Sequence, residues 1–278
     1  VLKLRRIIKK MEPDIVIATE YPFAVTAALI GVQKKASLIS WEHHHLYELT
    51  KNLFWEKMSS FTYPRLSFIV TLNEDEKKLF EKINKNVVVI PNFISAIKSV
   101  ASPINKRILT VGRLTNVKGT DLLLKVAKIV LAKHPDWEWK LIGNGDMQES
   151  VETFIKEETL EQNLLLASPH SYELNDEYNR SAIYVCASRN ESFGMTLVEA
   201  MASGIPCISF DCETGPRHII TNNEDGILVE KENPEKLAAA ISTLIENEEL
   251  RKKMGEKAVL NVQRFSPEII YKLWEQVF

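Results

Sequence analysis

The sequence predicts an α/β protein made of two doubly wound parallel-sheet domains. Two observations carry this. Short runs dense in Val and Ile, apolar on consecutive rather than alternate residues, recur between longer helical patterns; strands buried on both faces read this way. A polar stretch from Ser95 to Lys106 then divides the runs into two series, and 278 residues suffice for two modest domains.

In the first series the expected strands are Asp14–Ala18, Ala36–Trp41, Phe68–Leu72 and Val87–Ile90. A helix is predicted after Asn73, because Asn-Glu-Asp-Glu places Glu76 three residues after a capping side chain. In the second series the expected strands are Arg107–Val111, Trp137–Ile142, Asn163–Leu166, Ala182–Val185, Pro206–Phe210 and Gly226–Val229. Helices are expected between them at Asp121–Lys133, Met147–Glu158, Ser171–Arg180, Met195–Ser203 and Pro234–Asn247. The domains are accordingly drawn at 1–104 and 105–262, with 263–278 as a helix packing back on the body through Trp274 and Phe278. The chain opens without Met inside the amphipathic stretch LKLRRIIKKM. A first strand and its loop are therefore expected ahead of it.

Composition excludes some classes. The chain is 45% apolar and 26% charged with a formal net charge of −2, which argues against a dedicated nucleic-acid binder. The first 104 residues are nevertheless net basic and the remainder net acidic. Cys186, Cys207 and Cys212 show no metal or redox spacing, and a reducing, cytoplasmic setting without disulfides is expected. Cys186, in AIYVCA, reads as a small buried hydrophobe.

Three pieces of sequence converge on the carboxyl ends of the second domain's strands, where open α/β sheets bind ligands. Gly112-Arg113-Leu114 and Lys118-Gly119 follow the first of these strands. A guanidinium fork and an ammonium at one strand end suit a diphosphate, although two solvated loop cations would look the same. IGNGD, Ile142 to Asp146, follows the next strand. A nicotinamide fingerprint would need a third glycine where Gln148 stands, so a tight turn is the alternative. The third piece is ESFGMTLVEA, Glu191 to Ala200. The free N–H groups near Met195 and Thr196 can face an anion, and Gly194 permits close approach. Glu191 and Glu199 flank that site. Two acids beside an anion site make sense if the ligand carries hydroxyls at both ends and charge in its middle. An N-terminal acid favoured by the helix dipole and one surface Glu would be the simpler account.

These residues resemble glycosyltransferase family 4, retaining enzymes with the GT-B fold of two Rossmann-like domains facing across a cleft. ESFGMTLVEAMASGIPCIS resembles the family's E-x7-E signature; VGRL…KG, IGNG, the IPN turn at 90–92 and DCETGPRHII follow the family's order. The resemblance implies that Arg113 and Lys118 stabilise a leaving diphosphate. It implies that Glu199 holds the ribose and that Glu191, with the backbone after Phe193, holds the donor sugar. Gly112, Gly143, Gly194, Met195 and Thr196 would line the donor site, and a uracil or guanine base would sit near Ala167–Pro169, at Ser168. The Gly215-Pro216 segment reads as a loop of the sugar pocket, with His218 where the family often has glutamate. In SWEHHHLYE, the family places a histidine near donor sugar and acceptor, and His43 is favoured over His44 and His45. A metal site on three adjacent histidines is disfavoured because their side chains diverge; a solvated loop is the other reading.

The expected activity is transfer of a hexose from a nucleotide diphosphate sugar, a UDP-sugar first, to a glycan or lipid-linked acceptor, without metal or cofactor. By the resemblance, the family's usual opening segment, with its glycine-rich loop, is expected ahead of this sequence, which bears on activity of this chain alone. The helix Lys3–Lys10 would touch an anionic membrane surface at the cytoplasmic face; a solvated polar face is the alternative. A nucleotide-sugar epimerase of the same fold, and an inactive donor-binding subunit, are the competing readings.

Overall fold

The computed structural model describes residues 2–43, 53–94, 104–169 and 174–278. The chain forms two compact units, 1–93 with 267–278 and 94–266. The first takes in the C-terminal segment, so the chain leaves it, builds the second and returns.

The first unit's sheet holds β1 (Ile15–Ala18), β2 (Ser37–Trp41), β3 (Phe68–Thr71) and β4 (Val87–Val89), in that spatial order and all parallel. Its helices among the described residues are α1 (Leu2–Met11), α2 (Tyr21–Leu29), α3 (Leu53–Thr62) and α4 (Glu74–Phe80). The capping prediction for α4 holds: Asn73 Oδ1 accepts from the Glu76 N–H at 2.9 Å. One face of the sheet packs Leu38 and Ile69 with Ala24, Val25, Tyr63 and Phe80. The other packs Ile39, Val70 and Ile90 against Ile270 and Val277 of the returning segment. Trp274 meets the Trp41 ring edge-on at 5.2 Å and stacks on Phe278, which itself stays largely exposed.

The second unit's sheet has six parallel strands, in the order β10-β9-β8-β5-β6-β7. They are β5 (Arg107–Val111), β6 (Glu138–Ile142), β7 (Leu164–Ala167), β8 (Ile183–Cys186), β9 (Cys207–Phe210) and β10 (Gly226–Val229). All ten strands lie within one residue of expectation. Helices are α5 (Thr120–Lys133), α6 (Gln148–Glu157), α7 (Leu174–Asn179), α8 (Met195–Ala202), α9 (Pro216–Ile219), α10 (Pro234–Glu246), α11 (Glu248–Val262) and α12 (Pro267–Glu275), the last belonging to the first unit. Trp139 of β6 is wholly buried, which contributes about 2–3 kcal/mol. Its indole N–H donates to Thr110 Oγ1 at 3.1 Å, so no donor is lost in the core.

Two helices differ from expectation. Pro216–Ile219 is one helical turn rather than loop, and Glu248–Val262 is a helix the sequence reading did not propose. Asn247 ends α10 and caps α11, accepting from the Leu250 N–H at 2.9 Å. No breaker separates the two helices, and α11 carries Gly255 in its middle, which lowers helix propensity. A Cβ at Gly255 would lie 2.2 Å from the Gly204 carbonyl oxygen; close packing on the end of α8 requires glycine there.

The three cysteines are buried free thiols. Among the described residues no helix is long and apolar enough to cross a membrane.

Candidate functional site

The site is built where the strand order reverses. β5 lies between β6 and β8, so its outgoing loop and that of β8 part around a crevice at their carboxyl ends. Backbone approach closes the floor. The Gly112 N–H donates to the Ile142 carbonyl at 3.0 Å and the Leu114 N–H to the Asn144 carbonyl at 2.8 Å. A Cβ at Gly143 would sit 1.9 Å from the Gly112 oxygen, and one at Gly145 2.2 Å from that of Leu114. The IGNG turn is therefore first a packing feature. Gly119, at φ +67°, would place a Cβ 1.8 Å from the Ala187 oxygen, which brings the Lys118 loop flush against the end of β8.

A cavity of ≈ 30 Å³ opens in this crevice, room for a water or two. It brings together Gly112, Arg113, Lys118, Glu191 and Thr196 of the expected residues. Arg113 is exposed at its edge and has no ion-pair partner among the described residues. Lys118 Nζ stands 2.5 Å from Glu191 Oε1, both half-buried. Ser188 Oγ donates to the same oxygen at 2.8 Å. Oε2 of Glu191 carries no hydrogen bond among the described residues. Thr214 Oγ1 donates to the Glu191 carbonyl at 2.6 Å, and a Cβ at Gly215, at φ +73°, would lie 2.7 Å from both Cβ and the carbonyl oxygen of Glu191. The loop expected to belong to the pocket thus fixes the backbone of Glu191.

Gly194, at φ +109°, turns the chain into α8. Its carbonyl accepts from the Leu197 and Val198 N–H groups at 3.0 and 3.3 Å. The Met195 and Thr196 N–H groups have no acceptor among the described residues, as helix geometry requires of a first turn. Phe193 is buried, packed edge-on to Phe265 at 5.3 Å, so only its backbone can serve a ligand. Glu199, one turn into α8, is half-buried, and Tyr178 donates to its Oε2 at 2.7 Å. Burial raises the Glu199 carboxyl above its ordinary value, while the Tyr178 hydrogen bond acts against the rise.

The remaining expected residues lie elsewhere. Gly143, Ser168, Phe193, Gly194, Met195 and Glu199 do not line the cavity. Ser168 is exposed just past the end of edge strand β7. His43 belongs to the first unit, its ring 4.6 Å from that of Trp41. Beside it, Glu42 is buried and accepts from Tyr63 at 2.5 Å. His44 and His45 lie outside the described residues, as do residues 170–173. Cys186 lines the cavity, its Sγ 3.5 Å from Ser188 Oγ, and burial pushes its thiol up.

Sequence reasoning missed Ser188, Tyr178 and Thr214. Ser188 stands three residues before Glu191, a local signal that could have found it. Tyr178 and Thr214 are 21 and 23 residues from the groups they bind and carry no local signal.

The chain has relatives among known proteins. An uncharacterized glycosyltransferase of Haemophilus influenzae is 31% identical over 280 residues, 99% of this chain and 79% of that protein. The amylovoran biosynthesis glycosyltransferase AmsD of Erwinia amylovora is 29% identical over 285 residues, 98% of this chain and 79% of AmsD. The fold is that of S. aureus TarM, a mutant of which was solved with Fondaparinux, alpha-GlcNAc-glycerol and UDP: TM-score 0.82 at 22% identity, covering 98% of this chain. This chain spans 57% of the solved TarM chain. Residues 96–260, which hold the whole crevice and both signature glutamates, match one described family. The chain belongs to the glycosyl transferases group 1.

Proposed function

We propose that the chain is a retaining glycosyltransferase of family 4. It moves a hexose from a nucleoside diphosphate sugar, a UDP-sugar first, to a glycan or glycolipid acceptor in cell-surface polysaccharide or glycoconjugate synthesis. The observation that carries this reading is the crevice at the β5/β8 reversal. There Arg113, Lys118 and Thr196 of the first turn of α8 accompany Glu191 around one cavity. AmsD, named for amylovoran biosynthesis, and TarM, a mutant of which was solved with UDP, support the polysaccharide context and the base.

Breaking the sugar–phosphate bond leaves negative charge on the departing diphosphate. Arg113, Lys118 and the Met195 and Thr196 N–H groups stabilise that charge as it develops. Lys118 has three N–H donors, so it serves a phosphate oxygen without leaving Glu191. Glu191 accepts from sugar hydroxyls through Oε2. Glu199, held at Oε2 by Tyr178, accepts from the ribose diol through Oε1. The base lies by Ala167–Pro169. No metal or cofactor takes part. His43 serves the acceptor side, and the basic face of α1 rests on the cytoplasmic membrane surface.

A thermal-shift panel of nucleoside diphosphate sugars tests this. A ligand at about a hundred times its Kd adds ~2.7 kcal/mol, on the order of 5 °C or more for a protein of this size. A melting temperature that no nucleotide sugar moves would overturn the reading. Transfer to an acceptor, rather than isomerisation of the donor, then separates a transferase from an epimerase.

A further inference from the structure

The Lys118 loop and the Glu191 loop are 73 residues apart in sequence, and their side chains must meet within hydrogen-bond distance to make the ledge. One residue ties the loops together. Arg189 Nη1 donates to the Asn116 carbonyl at 2.6 Å and to Asp121 Oδ1 at 2.6 Å; Nη2 donates to Asp121 Oδ2 at 2.7 Å. Its own backbone N–H donates to the Val117 carbonyl at 2.9 Å. Nε donates to Glu232 Oε1 at 2.5 Å. These bonds bracket Lys118, at 116 and 117 on one side and at 121 on the other. Arg189 itself stands two residues before Glu191. It does not line the cavity.

We propose that Arg189 is a positioning residue for the diphosphate subsite: it clamps the Lys118 loop onto the Glu191 loop, so that ammonium and carboxylate reach the crevice already aligned. The proposal rests on the functional reading above. Its physical content is preorganisation: a loop ordered before binding spends no affinity on ordering during it. The planar fork suits this role and an ammonium does not, because only the fork meets both Asp121 oxygens at once. The clamp is partly solvent-exposed, so its effect on global stability is small and its effect on binding can be read separately.

The test is a double-mutant cycle read by isothermal titration with uridine diphosphate and guanosine diphosphate, on the whole chain. Arg189→Met loses about tenfold in affinity, a coupling usual for residues in one hydrogen-bond network. Arg189→Lys, which keeps the charge, loses nearly as much. In a Lys118→Met background, Arg189→Met costs nothing further, an outcome that a merely structural role would not produce. Should Arg189→Met fail to fold, Asp121→Asn completes the same cycle from the other side of the clamp. Equal affinity in Arg189→Met and the parent chain overturns the clamp alone, as does an equal loss in both backgrounds. A parent chain that binds neither nucleotide overturns the functional reading and the clamp with it.

Discussion

The two sheets differ in one topological respect, and the site follows from it. In the first unit the described strands run β1-β2-β3-β4, each crossover stepping the same way. In the second the chain starts in the middle with β5, winds outward through β6 and β7, then returns to β8 on the other side. Loops leaving β5 and β8 diverge there, and the crevice between them receives Arg113, Lys118 and Glu191. Both sheets come from the same kind of sequence, Val- and Ile-rich runs between helices. The crevice arises from the order in which strands are laid down.

The contrast can be broken most severely at the ledge. Lys118→Ala or Glu191→Ala is expected to lower transfer turnover by about a hundredfold or more, the scale of removing one group that stabilises a transition state. Their circular dichroism should match the parent chain. Parent-like turnover in either variant removes the site from the crevice.

Next in size is a comparison of two glycines, one in each unit. Gly119→Ala drives a Cβ into the Ala187 carbonyl and should cost about 3 kcal/mol, overpacking added to a left-handed backbone. Gly31, at φ +82° in the first unit, has nothing nearer than Lys34 Cδ at 3.8 Å; Gly31→Ala should cost only ~1 kcal/mol of left-handed strain. Urea unfolding measures both. Similar midpoints for the two variants would mean the Gly119 contact relaxes and the ledge is not tightly packed.

The smallest expected effect is a pH dependence. Burial raises the folded-state value of Glu199, so its contribution to stability is fully present below the unfolded value. That contribution is lost as pH rises through the raised folded value. Glu199→Gln removes the titration and still accepts from Tyr178. The variant should therefore melt higher than the parent near neutral pH and converge with it in acid, while binding nucleotide more weakly. A melting difference that is flat with pH would count against a buried, titrating carboxylate.

The sheet was legible in the sequence because its signal is local. FIVT and IYVC are apolar where a doubly covered strand must be, and Asn73 announces α4 through a bond to a residue three positions on. Helix α11 was not legible: Asn247 ends one helix and begins the next, and Gly255 looks like a weak point until Gly204 is seen packed against it. The site divides in the same way. The positions of Arg113, Lys118, Glu191 and Glu199 at the ends of strands and the start of a helix could be read directly. That Arg189 holds Asp121 ionised below its usual range, or that Glu199 answers to Tyr178, could not.

By itself the sequence determined the succession of strands and helices, and which strand ends carry cations, glycines and paired acids. Those features rest on interactions within a turn or a strand's length, where side-chain pattern and backbone propensity act directly. Tertiary structure alone decided that Lys118 would face Glu191, that Gly143 would be needed for packing, and that Phe193 would turn inward onto Phe265. Such contacts join residues many positions apart, and the chain meets them only after its crossovers have set which strands are neighbours.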